Sequence, residues 1–255
     1  MPRRQPIVRR WLTAASWPLG VALTSWDYMW RSTPMHRSEA DVAVPAGGSA
    51  LLEFPDGVSD AEVLSEADGH GPLFHRCYRT QIREAEVGPE ELMSALRRNL
   101  NQAAPTGFAR FHKLLGGQEA LKRGDEYVVR MPGPWDGPVR VVDVRPLSFR
   151  LATLDGHLEA GQIEFRVIEG DGESKGDGDG GRDAGDGRLG FEIESWARSS
   201  GWFADLLYHR LRMAKEIQAH MWISFLEGVV KLSGGHMTGG VTIETERIED
   251  PDDEH

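Results

Sequence analysis

Hydrophobic and polar residues alternate along three successive segments of the chain, Leu147–Leu151, Gln162–Val167 and Leu189–Arg198. Phe149 lies on the apolar side of the first segment, and Phe165 lies on the apolar side of the second. A period of two with one apolar face is typical of antiparallel strands that have one side covered by another layer. The pattern therefore predicts an antiparallel sheet with one polar and one apolar face.

The longest periodic segment, Trp202–Leu232, predicts the layer that covers this sheet. Its apolar residues, Met221 among them, recur at steps of three or four, which is the spacing of one helical face. At about 1.5 Å per residue, such a helix would be about 45 Å long. Gly234 and Gly235 follow directly, and we expect them to end the helix.

Shorter patterns predict further elements on the N-terminal side of these segments. Leu73–Ile82 is predicted to be a strand, and Pro89–Ala103 a helix, because a proline in its first turn is followed by leucines every four residues. Asp125–Met131 and Val139–Arg145 are predicted to be short strands. The valines of the last segment change phase, which indicates a β-bulge or a strand buried on both faces.

Strands followed by one long helix form an α+β order, and the flanking composition predicts how the rest of the chain is divided. A short terminal strand is predicted at Val241–Thr245, and the acidic tail from Glu244 onward is predicted to be disordered. The predicted regions are a basic, Trp-rich N-terminal arm at 1–45, a linker at 46–72, a single α+β domain at 73–235 with a flexible Gly/Asp insertion at 170–187, and a short strand with an acidic tail at 236–255.

Charge narrows the possible partners. The net charge of −11 argues against general nucleic-acid binding. Residues 1–37, however, hold six arginines against one acid, with several tryptophans between them. This segment either makes a weak contact with an anionic membrane surface or packs as an aromatic arm on the domain. Its apolar run, Trp11–Trp26, is shorter than the roughly 20 residues that span a membrane.

The single cysteine, Cys77, excludes an internal disulfide framework and favours a reducing, cytoplasmic location, with peripheral membrane contact as the alternative. A lone cysteine in an apolar run is typical of a small core residue. Oligomeric state stays open.

The loop Asp155–Gly161 carries the strongest candidate chemistry, because it presents His157 and Glu159 between two strands, with Glu164 close behind. A histidine and two carboxylates suffice for proton transfer or for part of a metal site. The alternative is a hydrogen-bonded loop beside a solvated sheet face, and we favour it because metal sites usually show a third or fourth convergent ligand. No metal is therefore expected.

The remaining motifs point away from cofactor chemistry. The Gly/Asp-rich insertion fails the register of a calcium loop: counted from Asp171, the twelfth residue is Arg182, where a glutamate is needed. Phosphate-loop, nucleophile-elbow, zinc and dinucleotide motifs are missing from the sequence, so no cofactor is expected.

Two further groups of side chains are notable. Trp196 lies on a charged strand face and needs a ligand, the N-terminal arm or another subunit as its partner. Its charged neighbours are predicted to form cross-strand ion pairs, and they are Arg166, Glu192, Glu194 and Arg198. The predicted long helix carries a basic group that is either a solvent face or an anion site: Tyr208, His209, Arg210, Arg212 and Lys215.

Three stretches carry a family resemblance: Thr153-Leu-Asp-Gly-His157, Gly161-Gln-Ile-Glu-Phe165 and Phe191-Glu-Ile-Glu-Ser-Trp-Ala-Arg198. Over about residues 73–232 the chain resembles bacterial members of domain of unknown function nineteen-ninety, also called uncharacterised protein family 0548. Leu158 stands where that family's pattern has proline, and Gln162 stands where it has glutamate. A catalytic role for that glutamate would therefore be lost here.

The resemblance implies a helix-grip, START-like and Bet v 1-like fold, in which a curved antiparallel sheet wraps around a long C-terminal helix. A cavity between sheet and helix suits apolar ligands. Our first hypothesis is thus non-catalytic binding of a hydrophobic small molecule or lipid, with candidate residues Phe149, Phe165, Trp196, Tyr208 and Met221. The alternatives are an enzyme of hydrolase or cyclase type that uses His157, Glu159 or Glu164, and a membrane-surface protein anchored by residues 1–37.

Overall fold

The computed structural model describes residues 33–43, 54, 63–105, 109–131, 136–169, 187–200 and 213–249. Within these ranges the chain forms ten strands and two α-helices. The strands are β1 (Met35–Ala43), β2 (Val63–Leu64), β3 (His70–Arg83), β4 (Arg110–Leu115), β5 (Glu126–Arg130), β6 (Asp136–Arg145), β7 (Ser148–Leu154), β8 (Glu159–Glu169), β9 (Leu189–Ser199) and β10 (His236–Glu249). The helices are α1 (Pro89–Arg98) and α2 (Met213–Ser233), and short 3-10 helices lie at Glu66–Asp68 and Leu100–Gln102.

The strands form one curved sheet in the order β1-β10-β3-β9-β8-β7-β6-β5-β4, with β2 paired to β7. All pairs are antiparallel except that of β1 with β10. Helix α2 packs against β3, β9 and β10. The predicted α+β fold, a curved antiparallel sheet around a C-terminal helix, is confirmed.

Apolar side chains on the inner face of the sheet pack with those of α2 in one core cluster. Phe149 lies opposite Phe165 in the β7–β8 ladder, and their rings stack at 4.8 Å between centroids. From α2, Trp222 and Phe225 meet Phe165 at 5.5 and 5.3 Å. Because the Phe165 side chain has 0% exposure, this end of the sheet–helix interface is a packed core.

Two local predictions hold in the structure. The register of β6 against β7 shifts between Val141 and Asp143, which is the predicted bulge. Helix α2 ends at Ser233, and Gly234 follows with φ of 74°, a conformation that favours glycine.

Three boundaries differ from the predictions. The predicted short strand is the 14-residue strand β10, which lies inside the sheet and includes Glu244–Glu249 of the predicted disordered tail. Helix α1 ends at Arg98 and not at Ala103, because the Asn99 side chain accepts a hydrogen bond from the N–H of Asn101 and caps a separate 3-10 turn. The predicted linker includes β2, which pairs with β7.

Other predictions fall outside the described residues. They concern residues 1–32 of the N-terminal arm, 170–186 of the insertion, 202–212 of the predicted long helix and 250–255 of the tail. Among the residues that the structure describes, no helix combines the length and apolar character needed to cross a membrane.

Candidate functional site

Strand β3 places an arginine on the face of the sheet that is covered by α2. Successive side chains of a strand point to opposite faces, so Arg76 lies on the same side as Tyr78, whose side chain belongs to the core. Arg76 pairs across the strands with Ser195 on β9 and Thr245 on β10. All three are buried, and Arg76 has only 1% exposure.

Two polar side chains from distant elements meet this arginine. Nη1 of Arg76 donates to Oε1 of Gln218 on α2 at 3.3 Å, and it lies 3.6 Å from Oε1 of Glu159 at the start of β8. The Gln218 amide closes the triangle, because its Nε2 donates to Oε2 of Glu159 at 3.0 Å. We call Arg76, Glu159 and Gln218 the polar triad.

The triad is unusual because a buried guanidinium must be compensated for the water it loses. The effective penalty of burying an ion is several kcal/mol, and a nearby opposite charge recovers it only with good geometry. Part of the compensation comes from Phe74, whose ring centroid lies 4.6 Å from the Arg76 guanidinium carbon. Glu159 is 19% exposed and therefore still reaches solvent. The triad thus joins a buried cation to an acid at the surface.

A cleft opens beside the triad at the ends of β3, β8 and β9. The cleft is shallow, and its free space of about 230 Å³ includes solvent at the open mouth. Apolar side chains form much of its wall, and Glu159 provides a carboxylate. The lining residues are His70, Pro72, Phe74, Glu159, Ala197, Arg198 and Ser199.

The β7–β8 turn holds Glu159 in place. Nδ1 of His157 lies 2.9 Å from both the backbone nitrogen and the backbone oxygen of Glu159, so the ring bonds to this backbone as acceptor or as donor according to its tautomer. Burial lowers the pKa of His157, which favours the neutral ring. A Cβ on Gly137 would lie 3.0 Å from Nε2 of His157, so the ring packs closely on β6. His157 therefore orders the loop that presents Glu159.

Glu164 does not join His157 and Glu159. It lies on the outward face of β8, where Arg150 approaches it at 3.6 Å and Arg166 at 3.9 Å. The three residues predicted for proton transfer or metal binding thus occupy two faces of the sheet. Among the described residues, no group of three or more His, Cys, Asp or Glu side chains converges as a metal site.

Trp196 also lies on the outward face, opposite the side of Phe149 and Phe165. Its indole stacks on His75 with centroids 5.1 Å apart, and it packs with Leu73 and Ile248. Trp196 has 6% exposure, so side chains of neighbouring strands cover it, where we expected a ligand, the N-terminal arm or another subunit. The predicted ligand-binding aromatics therefore do not form one site.

The outward face carries the cross-strand ion pairs. Arg166 donates to Glu192 and Glu194, as predicted, and Arg79 also donates to Glu192. Burial alone would raise the pKa of Glu192, but the bonds from Arg166 and Arg79 leave it lowered. Arg198, which was expected in this network, donates to the backbone oxygen of Gly71 at 2.9 Å.

The other predicted ligand-binding residues are distributed as follows. Phe149, Phe165 and Met221 belong to the packed core, with 1%, 0% and 6% exposure. Tyr208 lies outside the described residues, as do His209, Arg210 and Arg212 and the side chain of Lys215. Cys77 is buried and free, as a small core residue would be, and burial raises the pKa of its thiol.

Sequence reasoning missed Arg76 and Gln218. The available signal was the alternation of β3, in which Arg76 occupies a position between Phe74 and Tyr78 on the face that becomes the core. No comparable signal marks Gln218.

Comparison with known proteins gives one family and several distant structures. The profile of the family described as "Domain of unknown function (DUF1990)" matches residues 61–225. Norcoclaurine synthase from Thalictrum flavum is 11% identical, with 74% of this chain and 100% of that chain covered and a TM-score of 0.43. A hypothetical protein from Helicobacter pylori is 12% identical, with 62% and 86% covered and a TM-score of 0.42. Major latex-like protein 151 from Panax ginseng is 12% identical, with 58% and 97% covered and a TM-score of 0.33. No curated protein matches.

Proposed function

The chain belongs to the domain of unknown function (DUF1990) family, and we propose that it binds a hydrophobic small molecule without catalysing a reaction. The proposed site is the cleft beside the polar triad, at the end of the interface between the sheet and α2. The observation that carries the proposal is the position of Arg76, buried on the helix-facing side of the sheet next to an open cleft.

The two ends of the interface support this location. Under Trp222 and Phe225 the space is filled by aromatic rings, so a ligand there would have to displace core side chains. At the other end, Phe74 and Ala197 give the cleft an apolar wall, and Glu159 gives it a polar group. Apolar walls with a few placed polar groups are the usual composition of small-molecule sites.

The enzymatic alternative has weaker support. His157 is engaged with the backbone of Glu159, and Glu164 faces the other side of the sheet. Proton transfer needs groups within about 2.6–3.2 Å of a common substrate atom, and these residues do not converge in that way. The membrane-surface alternative concerns residues 1–37, of which 1–32 lie outside the described ranges, and it stays a prediction.

The proposal is tested by titrating the full chain with N-phenyl-1-naphthylamine, a neutral apolar fluorophore. We expect saturable binding of one probe per chain. Ala197→Phe would fill the cleft, because Ala197 lines it with 6% exposure, and we expect it to abolish binding. Ala40→Phe adds the same ring on the exposed side of β1 and serves as the matched control.

Circular dichroism melting would establish that both variants are folded. Binding that is non-saturable in the wild type, or equally strong in folded Ala197→Phe, would refute the proposed site.

A further inference from the structure

We propose that the side chain of Asn101 caps the outer edge of strand β4 and thereby keeps a second copy of this chain from pairing with the sheet through that strand. Among the described residues, β4 is the last strand of the sheet and pairs only with β5. Its other side is an edge, and an edge strand presents backbone N–H and C=O groups to any further strand. The inference is independent of the proposed ligand binding.

A single carboxamide bonds the outer edge of β4 at Phe111. The backbone N–H of Phe111 donates to Oδ1 of Asn101 at 2.9 Å, and Nδ2 of Asn101 donates to the backbone oxygen of Phe111 at 2.8 Å. Both distances are those of full hydrogen bonds. Only this orientation of the carboxamide gives the N–H an acceptor and the C=O a donor.

These two bonds show which way the backbone of Phe111 points. In an antiparallel ladder, alternate residues exchange both bonds with the neighbouring strand, and the residues between them direct the same groups to the other side. Because Asn101 takes both groups of Phe111, they point away from Val129, the partner of Phe111 on β5. Asn101 therefore makes the pair of bonds that a residue of an added strand would make.

The turn that carries Asn101 is fixed to the rest of the domain. The Asn99 side chain accepts from the N–H of Asn101 at 3.0 Å, and Leu100 is buried in the core with 3% exposure. The N–H of Ala109 donates to the oxygen of Pro105 at 2.7 Å, which ties the segment after the turn to the residue before β4. A group tethered in this way competes against a strand from solution with an effective concentration of about millimolar.

The partner that this cap excludes is a second copy of β4. An antiparallel pair of β4 strands about a twofold axis would place Phe111 opposite Phe111, and the copies would exchange the N–H and C=O groups that Asn101 now engages. Leu115, at the end of β4, is 58% exposed and adds an apolar side chain to the surface of the strand. The cap thus protects a strand that has both the backbone groups and the apolar surface for self-association.

The test removes the carboxamide from the full chain and follows hydrogen exchange and association. In the wild type we expect the Phe111 amide proton to be protected at every protein concentration, because its acceptor belongs to the same chain. In Asn101→Ala we expect this proton to exchange faster at low concentration and to become protected again as the concentration rises, when a second copy replaces the cap. Sedimentation velocity should show self-association at least about tenfold tighter than in the wild type.

Matched variants separate capping from a general loss of stability. Gln102→Ala changes the exposed neighbour on the same turn and should leave association and Phe111 exchange unchanged. Asn101→Asp keeps an acceptor for the N–H of Phe111 but sets a carboxylate against its carbonyl oxygen. We expect a lower melting temperature and no added association, since charges at an edge oppose strand pairing. Asn101→Ser, whose single hydroxyl cannot replace the carboxamide at both groups, is used if circular dichroism shows Asn101→Ala to be unfolded.

The inference is overturned in any of the following cases. Unprotected exchange at Phe111 in the wild type would show that the cap is not formed. A folded Asn101→Ala or Asn101→Ser variant that sediments as the wild type does at all concentrations would show that the edge needs no cap. Association that leaves the Phe111 amide unprotected would place the contact elsewhere, and equal association of Asn101→Asp would assign it to lost stability.

Discussion

The two faces of the sheet hold charged residues in opposite ways. On the outward face, Arg166 and Arg79 share Glu192, and both arginines are more than a third exposed. On the helix-facing side, Arg76 is buried and lies 3.6 Å from Glu159, which is 19% exposed. Burying a charge costs more than pairing one at the surface, and Glu192, at 3% exposure, is compensated by both of its arginines. The outward face thus holds a buried acid between partly exposed arginines, whereas the inner face holds a buried arginine beside a partly exposed acid.

The largest expected effect comes from the aromatic end of the inner face. Phe165→Ala removes a ring with 0% exposure that contacts Phe149, Trp222 and Phe225. We expect the free energy of unfolding to fall by about 3–5 kcal/mol, because the cavity cannot close fully. The control on the same strand is Ile168→Ala at 39% exposure, which should cost less than about 1 kcal/mol. Urea unfolding measures both, and equal losses would contradict a packed inner core.

The next effect concerns how closely α2 approaches the rest of the domain. A Cβ at Gly228 would lie 2.1 Å from the backbone oxygen of Ala103, so Gly228→Ala forces the helix away. We expect a loss of about 1–3 kcal/mol, as in other overpacked sites. Gly88→Ala is the control, since a Cβ there meets nothing within 4 Å. A stabilised Gly228→Ala, measured by the same urea transitions, would show that the helix does not need this contact.

The periodicity of the sequence was sufficient to assign Phe149 and Phe165 to the apolar face of the sheet, but we expected them to line a ligand cavity and the structure packs both into the core. Phe149 and Phe165 follow from alternation within single strands, where the information is local. The polar triad was not predictable in the same way, because Arg76 and Gln218 are 142 positions apart and meet only through the fold. Trp196 shows the same limit: its exposed-looking position is covered by His75, Leu73 and Ile248 from other strands. Patterns thus predicted elements and faces, and long-range pairing decided the site.

A smaller effect tests whether the inner charge is kept for stability. Arg76→Met combined with Glu159→Gln removes both charges of the triad and leaves two side chains of similar length. We expect the melting temperature to be unchanged or raised, since apolar replacements of buried ion pairs are often neutral or stabilising by about 1–4 kcal/mol. The matched outward pair is Arg166→Met with Glu192→Gln. A marked loss of stability in the inner double variant alone would make Arg76 a structural residue and weaken the binding proposal.

The smallest effect comes from two histidines in different environments. One lies on the outward face of the sheet, and the other lies at the β7–β8 turn. His75, on the outward face, has Nε2 at 2.8 Å from Glu194 and Nδ1 at 2.9 Å from Glu246, and only the protonated ring donates to both carboxylates at once. The bond to Glu194, then that to Glu246, raises its pKa against the effect of burial. His157, at the tip beside the triad, has a pKa lowered by burial. Their contributions to stability must therefore depend on pH with opposite signs.

For His75, the folded pKa exceeds the unfolded value of about 6.5, so its stabilisation is complete below about pH 6.5, while the carboxylates stay ionised, and is lost as the pH rises through the folded pKa. For His157, the unfolded state takes up the proton first, so stability is lost as the pH falls below about 6.5. Melting temperatures of His75→Gln and His157→Gln, each subtracted from the wild type between about pH 5 and pH 9, should give curves that slope in opposite directions. We expect shifts of a few degrees at most, because about 1 kcal/mol changes the melting temperature by about 2–4 °C in a chain of this size. Parallel slopes would mean that the pKa values of His75 and His157 are not shifted in opposite directions.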